Sequence, residues 1–224
     1  MSCFLHINTA TEQACVCLSE DENILGYKEC LDQKVHSSFL QPAIRELLIS
    51  VGRDITDLEA VSVINGPGSY TGLRVGLSAA KGICFALGIP LLCISTLEWL
   101  AHPFKENEYD LIIPMIDARR MEVFTAGFDR QLGVAFEPKA LILNEQSFED
   151  ILQDNKIMFT GSGAHKLPES IKSKSGCFVT HTLSTCSSQA SIAVRLFMER
   201  RFSELAYTEP FYLKPFHSPF TNRI

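Results

Sequence analysis

The pattern of apolar and polar residues predicts short strands that alternate with amphipathic helices. An apolar run at 3–8 and partly alternating segments at 14–19 and 24–30 are typical of strands. A 3.6-residue apolar stripe predicts a helix at 34–50, and Gly52 follows it as a stop signal. The rest of the first half predicts, in order, a strand at 61–64, a helix at 70–87, a strand at 91–94 and a short helix at 96–101.

The same order of elements begins again after the polar stretch at 105–108. Such a repeat predicts an α/β fold of two duplicated lobes, each a mixed β-sheet flanked by helices. We expect an N-terminal lobe at 1–103 and a C-terminal lobe at 104–224. The second half predicts strands at 111–116, 121–128, 139–143 and 157–160, and helices at 147–153 and 188–201.

Charge and hydropathy narrow the classes of partner. The 224-residue chain has a formal net charge of −6, and its longest basic run is Arg200-Arg201. An acidic surface repels phosphate backbones and anionic lipid, so we expect no membrane contact and only an indirect role at any nucleic acid. No apolar run reaches the ~20 residues of a membrane span, and no basic segment precedes an apolar core at the N-terminus. We therefore expect a cytoplasmic protein.

Eight cysteines without a C-x-x-C pair predict reduced, buried thiols rather than disulfides or a metal site. Cys15 and Cys17 lie two apart on a predicted strand, so their sulfurs share one face. That spacing alone is a weak indication of a metal site.

The most specific segment, 65–76, follows a strand and opens the helix at 70–87. Its glycines permit close backbone approach, and the free N–H groups of a helix N-terminus can bind an anion. It lacks the lysine of a P-loop and the spacing of a dinucleotide loop. Anion binding and a plain tight turn both remain open, here and at Gly161-Ser162-Gly163.

Gly72, Gly76 and Ala80 recur every four residues along this helix. Glycine inside a helix costs about 1 kcal/mol relative to alanine, so two of them predict that another element approaches closely. That element is either a neighbour inside the lobe or a partner protein, and both alternatives stay open.

Side chains for catalysis are scarce in the sequence. None of the six histidines forms H-x-x-x-H or H-E-x-x-H, and G-x-S-x-G is absent. Asp117 ends a predicted strand. We interpret it as a residue that caps a turn with its carboxylate rather than as a metal ligand. A peptidase is disfavoured because no nucleophile has an adjacent base.

The segment 66–76 resembles the signature of the TsaB (YeaZ) family, and the segments at 7–11, 116–119 and 209–213 also fit that family. The resemblance implies the actin-like ATPase fold of sugar kinases and heat-shock proteins, which is ribonuclease H-like. It also implies a heterodimer with the enzyme TsaD, joined by TsaE in a larger complex. That complex installs threonylcarbamoyl on the tRNA adenosine beside the anticodon.

Within this resemblance the chain is expected to be a catalytically inactive accessory subunit. Thr96 and Leu100 stand at the positions of the metal-binding H-x-x-x-H of TsaD, and Asn8 replaces an aspartate of the first turn. The alternative is a stand-alone nucleotide-binding ATPase of the same fold, with ATP or ADP also possible at a shared interface. Weak cofactor-binding candidates are Asn8, Thr9, Gly66, Gly68, Gly161 and Gly163.

The first helix and the glycine-containing helix are expected to form the TsaD interface. The same apolar surface offers a route to a homodimer when the partner is missing. The predicted partner-binding residues are His36, Phe39, Leu40, Ala43, Tyr70, Gly72, Leu73, Arg74, Gly76 and Leu77.

Overall fold

The computed structural model describes residues 1–32, 35–180 and 185–214 and contains two five-stranded sheets. In each sheet three antiparallel strands in chain order are followed by two strands parallel to the first. The first sheet has the order β3-β2-β1-β4-β5 and the second has the order β10-β9-β6-β7-β8, which is the same arrangement. The predicted α/β fold with two duplicated lobes is therefore confirmed.

The first sheet consists of β1 (Cys3–Asn8), β2 (Ala14–Glu20), β3 (Asn23–Cys30), β4 (Ala60–Gly66) and β5 (Leu91–Ser95). The second consists of β6 (Leu111–Asp117), β7 (Glu122–Asp129), β8 (Val134–Ile142), β9 (Ile157–Thr160) and β10 (Cys177–Val179). The helices are α1 (His36–Val51), α2 (Tyr70–Leu87), α3 (Thr96–Ala101), α4 (Glu149–Leu152), α5 (Glu169–Lys172) and α6 (Cys186–Met198).

Local signals explain why the long helices begin and end where they do. Ser69 caps α2 by accepting a hydrogen bond from the backbone N–H of Gly72, and Gly88 ends the helix in the left-handed region at φ 67°. Gly52 ends α1 in the same way at φ 68°. The predicted bounds 70–87 are confirmed, and α1 starts two residues later than predicted, beyond the undescribed residues 33–34.

Short elements of the second lobe escaped the sequence pattern. The strand predicted at 139–143 is the longer β8, and the helix predicted at 147–153 is the single turn α4. The pattern missed α5 and β10, because one helical turn and three strand residues are too short to show a period.

The two faces of the first sheet carry different cores. Helices α1 and α2 cover one face through Leu5, Ile7 and Val16, all buried. The other face carries His6, Cys17 and Ser62, which are paired across neighbouring strands and therefore point the same way. Helix α6 packs against this sheet rather than against the second one.

The position of α6 corrects the predicted lobe boundary. The division near 103 separates the two sheets, but α6 belongs to the predicted lobe 104–224 and lies on the first sheet. Gln189 donates hydrogen bonds to the carbonyl of Ile7 (3.2 Å) and to Ser62 Oγ (3.0 Å). Phe197 packs edge-to-face on Phe4 with ring centroids 5.1 Å apart. An amphipathic pattern shows that a helix has a buried face but not which sheet covers it.

No helix in the described ranges is long and apolar enough to cross a membrane.

A hydrogen-bond chain under α6 holds His6 neutral. Ser19 Oγ donates to the carbonyl of Asp21 (2.7 Å) and so accepts from His6 Nε2 (2.8 Å). Ser62 Oγ accepts from Gln189 and so donates to His6 Nδ1 (2.7 Å). A second ring proton would have no acceptor in this arrangement. Burial accordingly lowers the pKa of His6 to about 4.

We predict that folding stability falls as the pH drops from 6.5 towards 4, because the unfolded chain binds a proton at His6 that the folded chain excludes. When His6 is fully protonated in the unfolded chain but neutral in the folded chain, the free energy of unfolding is lower by about 3 kcal/mol. Urea unfolding of wild type and His6→Gln at several pH values in this range measures the effect. Both proteins have the same carboxylates, so their contribution cancels in the difference between the two curves of stability against pH. A difference that stays flat from pH 6.5 to 4 would contradict the prediction.

Candidate functional site

The start of α2 lies directly against the turn that follows β1. Ser69 N donates to the carbonyl of Ala10 (2.7 Å), and Gly72 N donates to Ser69 Oγ (3.3 Å). Thr9 Oγ1 in turn donates to the carbonyl of Gly72 (2.6 Å). Two N–H groups that would face a bound anion are therefore already bonded within the chain, and the tight-turn interpretation of 65–76 is favoured.

Three glycines make this contact possible. A Cβ at Gly68 would overlap the carbonyl of Ala10, and one at Gly72 would overlap the carbonyl of Thr9. A Cβ at Gly76 would overlap Thr9 Oγ1. The neighbour that Gly72 and Gly76 accommodate is thus the chain's own β1 turn. Their assignment to a partner interface was wrong, because both residues are buried inside the first lobe.

The weak cofactor-binding candidates also have internal contacts. Asn8 is buried and accepts a hydrogen bond from the N–H of Ala10 (3.1 Å). A Cβ at Gly66 would meet the carbonyl of Phe211, one at Gly161 would meet that of Met115, and one at Gly163 would meet Val123 and Met115. Of the six candidates only Gly68 lines the cleft between the lobes.

That cleft is a cavity of about 730 Å³ between the two sheets. The first lobe contributes the turn after β1 and the loop before α2, and the second contributes the end of β6 and Ser162. Its polar and aromatic lining includes Glu12, Ser69, Tyr70, Thr71, Asp117, Arg119, Ser162, Tyr212 and Lys214.

Asp117 is the carboxylate of the second lobe at this cleft. It accepts from the N–H of Arg119 (2.6 Å) and pairs with the ammonium of Lys166. Partial burial works to raise its pKa, but Lys166 and the N–H of Arg119 together hold the pKa below its usual range. Asp117 thus acts as a turn cap, as the sequence predicted. Among the described residues no His, Cys, Asp and Glu side chains form a group of three able to hold a metal ion.

The segment before residue 215 crosses the cleft from one lobe to the other. Phe211 N donates to the carbonyl of Asn65 (2.8 Å), and Arg74 Nε donates to the hydroxyl of Tyr212 (3.0 Å). Arg74 also lies over the ring of Tyr70 at 4.1 Å. Lys214 then pairs with Glu122 on β7. We call residues 209–214 the strap; it narrows the cleft from the outside.

A second candidate surface lies on the outer side of α1 and α2. Ser78, Gly82 and Ala86 are exposed and four residues apart, so they form one stripe along α2. A Cβ at Gly82 would meet nothing within 4 Å. Phe85 is 81% exposed beside this stripe, and Ile49 on the neighbouring α1 is 69% exposed. We call these five residues the outer face.

Most of the predicted partner-binding residues are buried, so the outer face is the better candidate for a partner surface. Arg74 is exposed, and Phe39 and Tyr70 are half-buried, so these three are still accessible. The remaining seven are buried in the lobe and offer no surface: His36, Leu40, Ala43, Gly72, Leu73, Gly76 and Leu77. The signal that the sequence analysis overlooked is Gly82, a third helical glycine about 240° around the helix from Gly76.

His36 is a buried polar residue at the start of α1. Neither ring nitrogen has a hydrogen-bond partner among the described residues. Residues 33–34 precede it and lie outside the description.

Three comparisons with known proteins identify the family. A family model described as TsaD, tRNA N6-adenosine threonylcarbamoyltransferase, matches residues 31–216. TsaB of Escherichia coli K12, named a tRNA threonylcarbamoyladenosine biosynthesis protein, is 28% identical over 218 residues, 94% of each chain. TsaB of Haemophilus influenzae is 30% identical over 162 residues, 67% of this chain and 68% of that one. The chain belongs to the TsaB (YeaZ) family.

A solved structure supports the fold. A Pseudomonas aeruginosa protein described as similar to the peptidase YeaZ has a TM-score of 0.81 and covers 96% of this TsaB-family chain, with 100% of its own length aligned. At 23% identity the likeness concerns the fold alone.

Helix α3 carries Thr96 and Leu100, the two residues that the sequence analysis aligned with the metal-binding histidines of TsaD. Thr96 and Leu100 lie one helical turn apart, as the predicted spacing requires. Both side chains are buried in the core between the lobes. Neither the hydroxyl of Thr96 nor the aliphatic side chain of Leu100 is a ligand that transition metals prefer.

We predict opposite effects of alanine at two helical glycines of α2. Gly72→Ala forces a Cβ into the carbonyl of Thr9, so we expect a loss of roughly 1–3 kcal/mol of folding stability. Gly82→Ala adds a Cβ in open space and should stabilise the fold by up to about 1 kcal/mol. Thermal and urea unfolding of both variants measure this. Equal changes at the two positions would show that Gly72 does not hold the close contact.

Proposed function

We propose that this chain is a non-catalytic partner subunit that binds TsaD through the outer face. In this role it supports threonylcarbamoyl transfer to the adenosine beside the anticodon of tRNA, with TsaE joining the pair. Family membership supports the pathway. The observation that carries the binding mode is Gly82, a helical glycine at which an added Cβ would meet no atom of the described residues within 4 Å outside its own helix.

Gly82 needs an explanation because it weakens α2 by about 1 kcal/mol relative to alanine. Internal packing explains Gly72 and Gly76 but leaves Gly82 in open space. A stripe of small residues lets a second helix approach the backbone closely, as at other helix–helix contacts with small residues at four-residue spacing. Ser78 and Ala86 extend this stripe by one turn in each direction.

Large apolar side chains beside the stripe supply the driving force. Phe85 and Ile49 are mostly exposed in the isolated chain. Removing their apolar area from water gains roughly 25 cal/mol per Å², and aromatic anchors of this kind dominate many interfaces. Small residues next to a protruding Phe85 favour a partner that offers a helix and an adjoining pocket.

The non-catalytic role is supported by the residues that the chain presents. Thr96 and Leu100 occupy the ligand positions on α3, and the carboxylate of Asp117 is already paired with Lys166. The net charge of −6 also disfavours direct binding of tRNA, so we assign that contact to the partner.

Nucleotide binding in the cleft is the second candidate, and the volume of about 730 Å³ is its support. Pockets of this size hold drug-sized ligands. Against it, the N–H groups of Ser69 and Gly72 are bonded internally, and residues of the strap line the cleft. We therefore favour the partner role and place any ATP or ADP at a shared interface with TsaD.

We predict that Gly82→Arg abolishes TsaD binding and leaves the monomer folded. Arginine is a good helix former, but here it fills the space that a partner backbone would need. Met198→Arg is the matched control, because Met198 is exposed at the end of α6 on the opposite side of the first sheet. Calorimetry should give at least a hundredfold weaker binding for Gly82→Arg and wild-type binding for the control.

The same variants separate the interface from the function. In an assay with TsaD, TsaE, ATP, tRNA and an activated threonylcarbamoyl donor, wild type should support modification of the adenosine and Gly82→Arg should fail to do so. Wild-type affinity in Gly82→Arg would show that the outer face is not the interface. No binding between wild type and TsaD at concentrations well above micromolar would refute the partner role itself.

For the isolated chain we predict no ATP turnover and no micromolar binding of Mg-ATP, because the start of α2 lacks free N–H groups at Ser69 and Gly72. Titration calorimetry and phosphate release measure this. Micromolar binding with turnover would make the chain a stand-alone ATPase of this fold.

A further inference from the structure

Three thiols meet where α6 lies on the first sheet. Cys15 and Cys17 project from the same face of β2, and Cys186 is the first residue of α6. The sulfurs of Cys15 and Cys186 are 3.3 Å apart. The Cys17 thiol lies on the same side of β2 and donates to the carbonyl of Leu18 (3.7 Å). The contact joins residues 171 positions apart in sequence, so neither segment alone shows it.

The three thiols differ in reactivity. The neighbouring thiols of Cys15 and then Cys17 lower the pKa of Cys186, against the effect of burial. The start of a 13-residue helix also favours a negative charge at this sulfur. Conversely, the hydrogen bond to Cys186 and burial raise the pKa of both Cys15 and Cys17. Of the three sulfurs, that of Cys186 most favours the thiolate, and the Cys15 thiol is its hydrogen-bond partner.

The three cysteines also differ in their exposure to solvent. Cys15 and Cys186 are half-buried and keep some contact with solvent, whereas Cys17 is buried. A low-pKa, partly accessible thiolate beside a second accessible thiol is the arrangement of redox-responsive cysteines. A metal site is the other use of clustered thiols, but the described residues contain no set of three metal-ligating side chains arranged to hold an ion.

We propose that Cys186 is an oxidative modification site with Cys15 as its resolving cysteine, and that a hydroperoxide converts the pair into a reversible disulfide between α6 and β2. The sulfurs are 3.3 Å apart and need to approach by little more than 1 Å to reach the ~2.0 Å of a disulfide. Cys17 remains a thiol throughout.

The disulfide forms in two steps. The Cys186 thiolate attacks the terminal oxygen of the hydroperoxide and the O–O bond breaks, which leaves a sulfenic acid at Cys186. The alkoxide, or hydroxide from hydrogen peroxide, takes up from solvent the proton that Cys186 lost on ionisation and leaves as an alcohol or as water. The Cys15 sulfur then attacks the Cys186 sulfur. The S–OH bond breaks, hydroxide leaves and takes the Cys15 proton as water, and the disulfide forms. Two thiols lose two electrons in all, and a dithiol reductant returns them.

The bond would fix the start of α6 to the sheet. This helix holds His6 through Gln189 and Ser62, and the chain leaves it towards the strap over the cleft. A cross-link between distant residues stabilises the fold mainly by restricting the unfolded chain. The oxidised protein should therefore unfold at a Tm several degrees above that of the reduced protein.

The test treats the full-length protein with one equivalent of hydrogen peroxide, blocks free thiols, and maps disulfides by non-reducing peptide mass spectrometry. We expect a Cys15–Cys186 bond that dithiothreitol reverses, together with the rise in Tm. Cys186→Ser should lose both. Cys177→Ser is the control, because Cys177 is a half-buried thiol on β10 of the second sheet.

A second readout does not depend on disulfide formation. In the reduced protein, iodoacetamide at pH 6 should alkylate Cys186 about tenfold faster than Cys177, because only the thiolate reacts. Oxidation spread over other cysteines with no bond between Cys15 and Cys186, or equal alkylation rates at Cys186 and Cys177, would overturn the proposal. Neither readout involves TsaD, so failure here leaves the proposed function standing.

Discussion

The close contact between the first turn of α2 and the turn after β1 is the constraint on which the rest of the structure depends. Glycines at 68, 72 and 76 let the backbone of α2 lie against Thr9 and Ala10 with no side chain between them. The hydrogen bonds of Ser69 and Thr9 then fix the direction of the helix. Once α2 is fixed, one side of the helix packs against the sheet and the opposite side faces solvent.

This one contact shapes both candidate surfaces. It closes the glycine loop on itself, so the cleft lacks the free N–H groups at Ser69 and Gly72 that a phosphate would bind. It also presents Gly82, with Ser78 and Ala86, on the solvent side of the helix. The strap contacts the same helix, since Arg74 donates to Tyr212, and Lys81 donates to the carbonyl of Thr208 (3.1 Å) directly before the strap. Helix α2 therefore links the core, the cleft and the outer face.

Much of the fold was predictable because local signals are strong. Ser69 and Gly88 mark both ends of α2, and the apolar strands and repeated element order predict two α/β lobes. Which glycines face inward was not predictable, since that depends on Thr9, more than sixty residues earlier in the chain. The meeting of Cys15 with Cys186 and the docking of α6 on the first sheet are likewise long-range contacts with no local pattern. Seven buried residues were assigned to the interface for this reason.

The most direct measurement of the central claim is hydroxyl-radical footprinting of the wild-type chain with and without TsaD, read by mass spectrometry. Phe85 and Ile49 report on the outer face, and Ile142 and Tyr207 are exposed references elsewhere. We predict that TsaD protects Phe85 and Ile49 several-fold and leaves Ile142 and Tyr207 unchanged. Full reactivity of Phe85 in the complex, with protection of Ile142 or Tyr207, would contradict it.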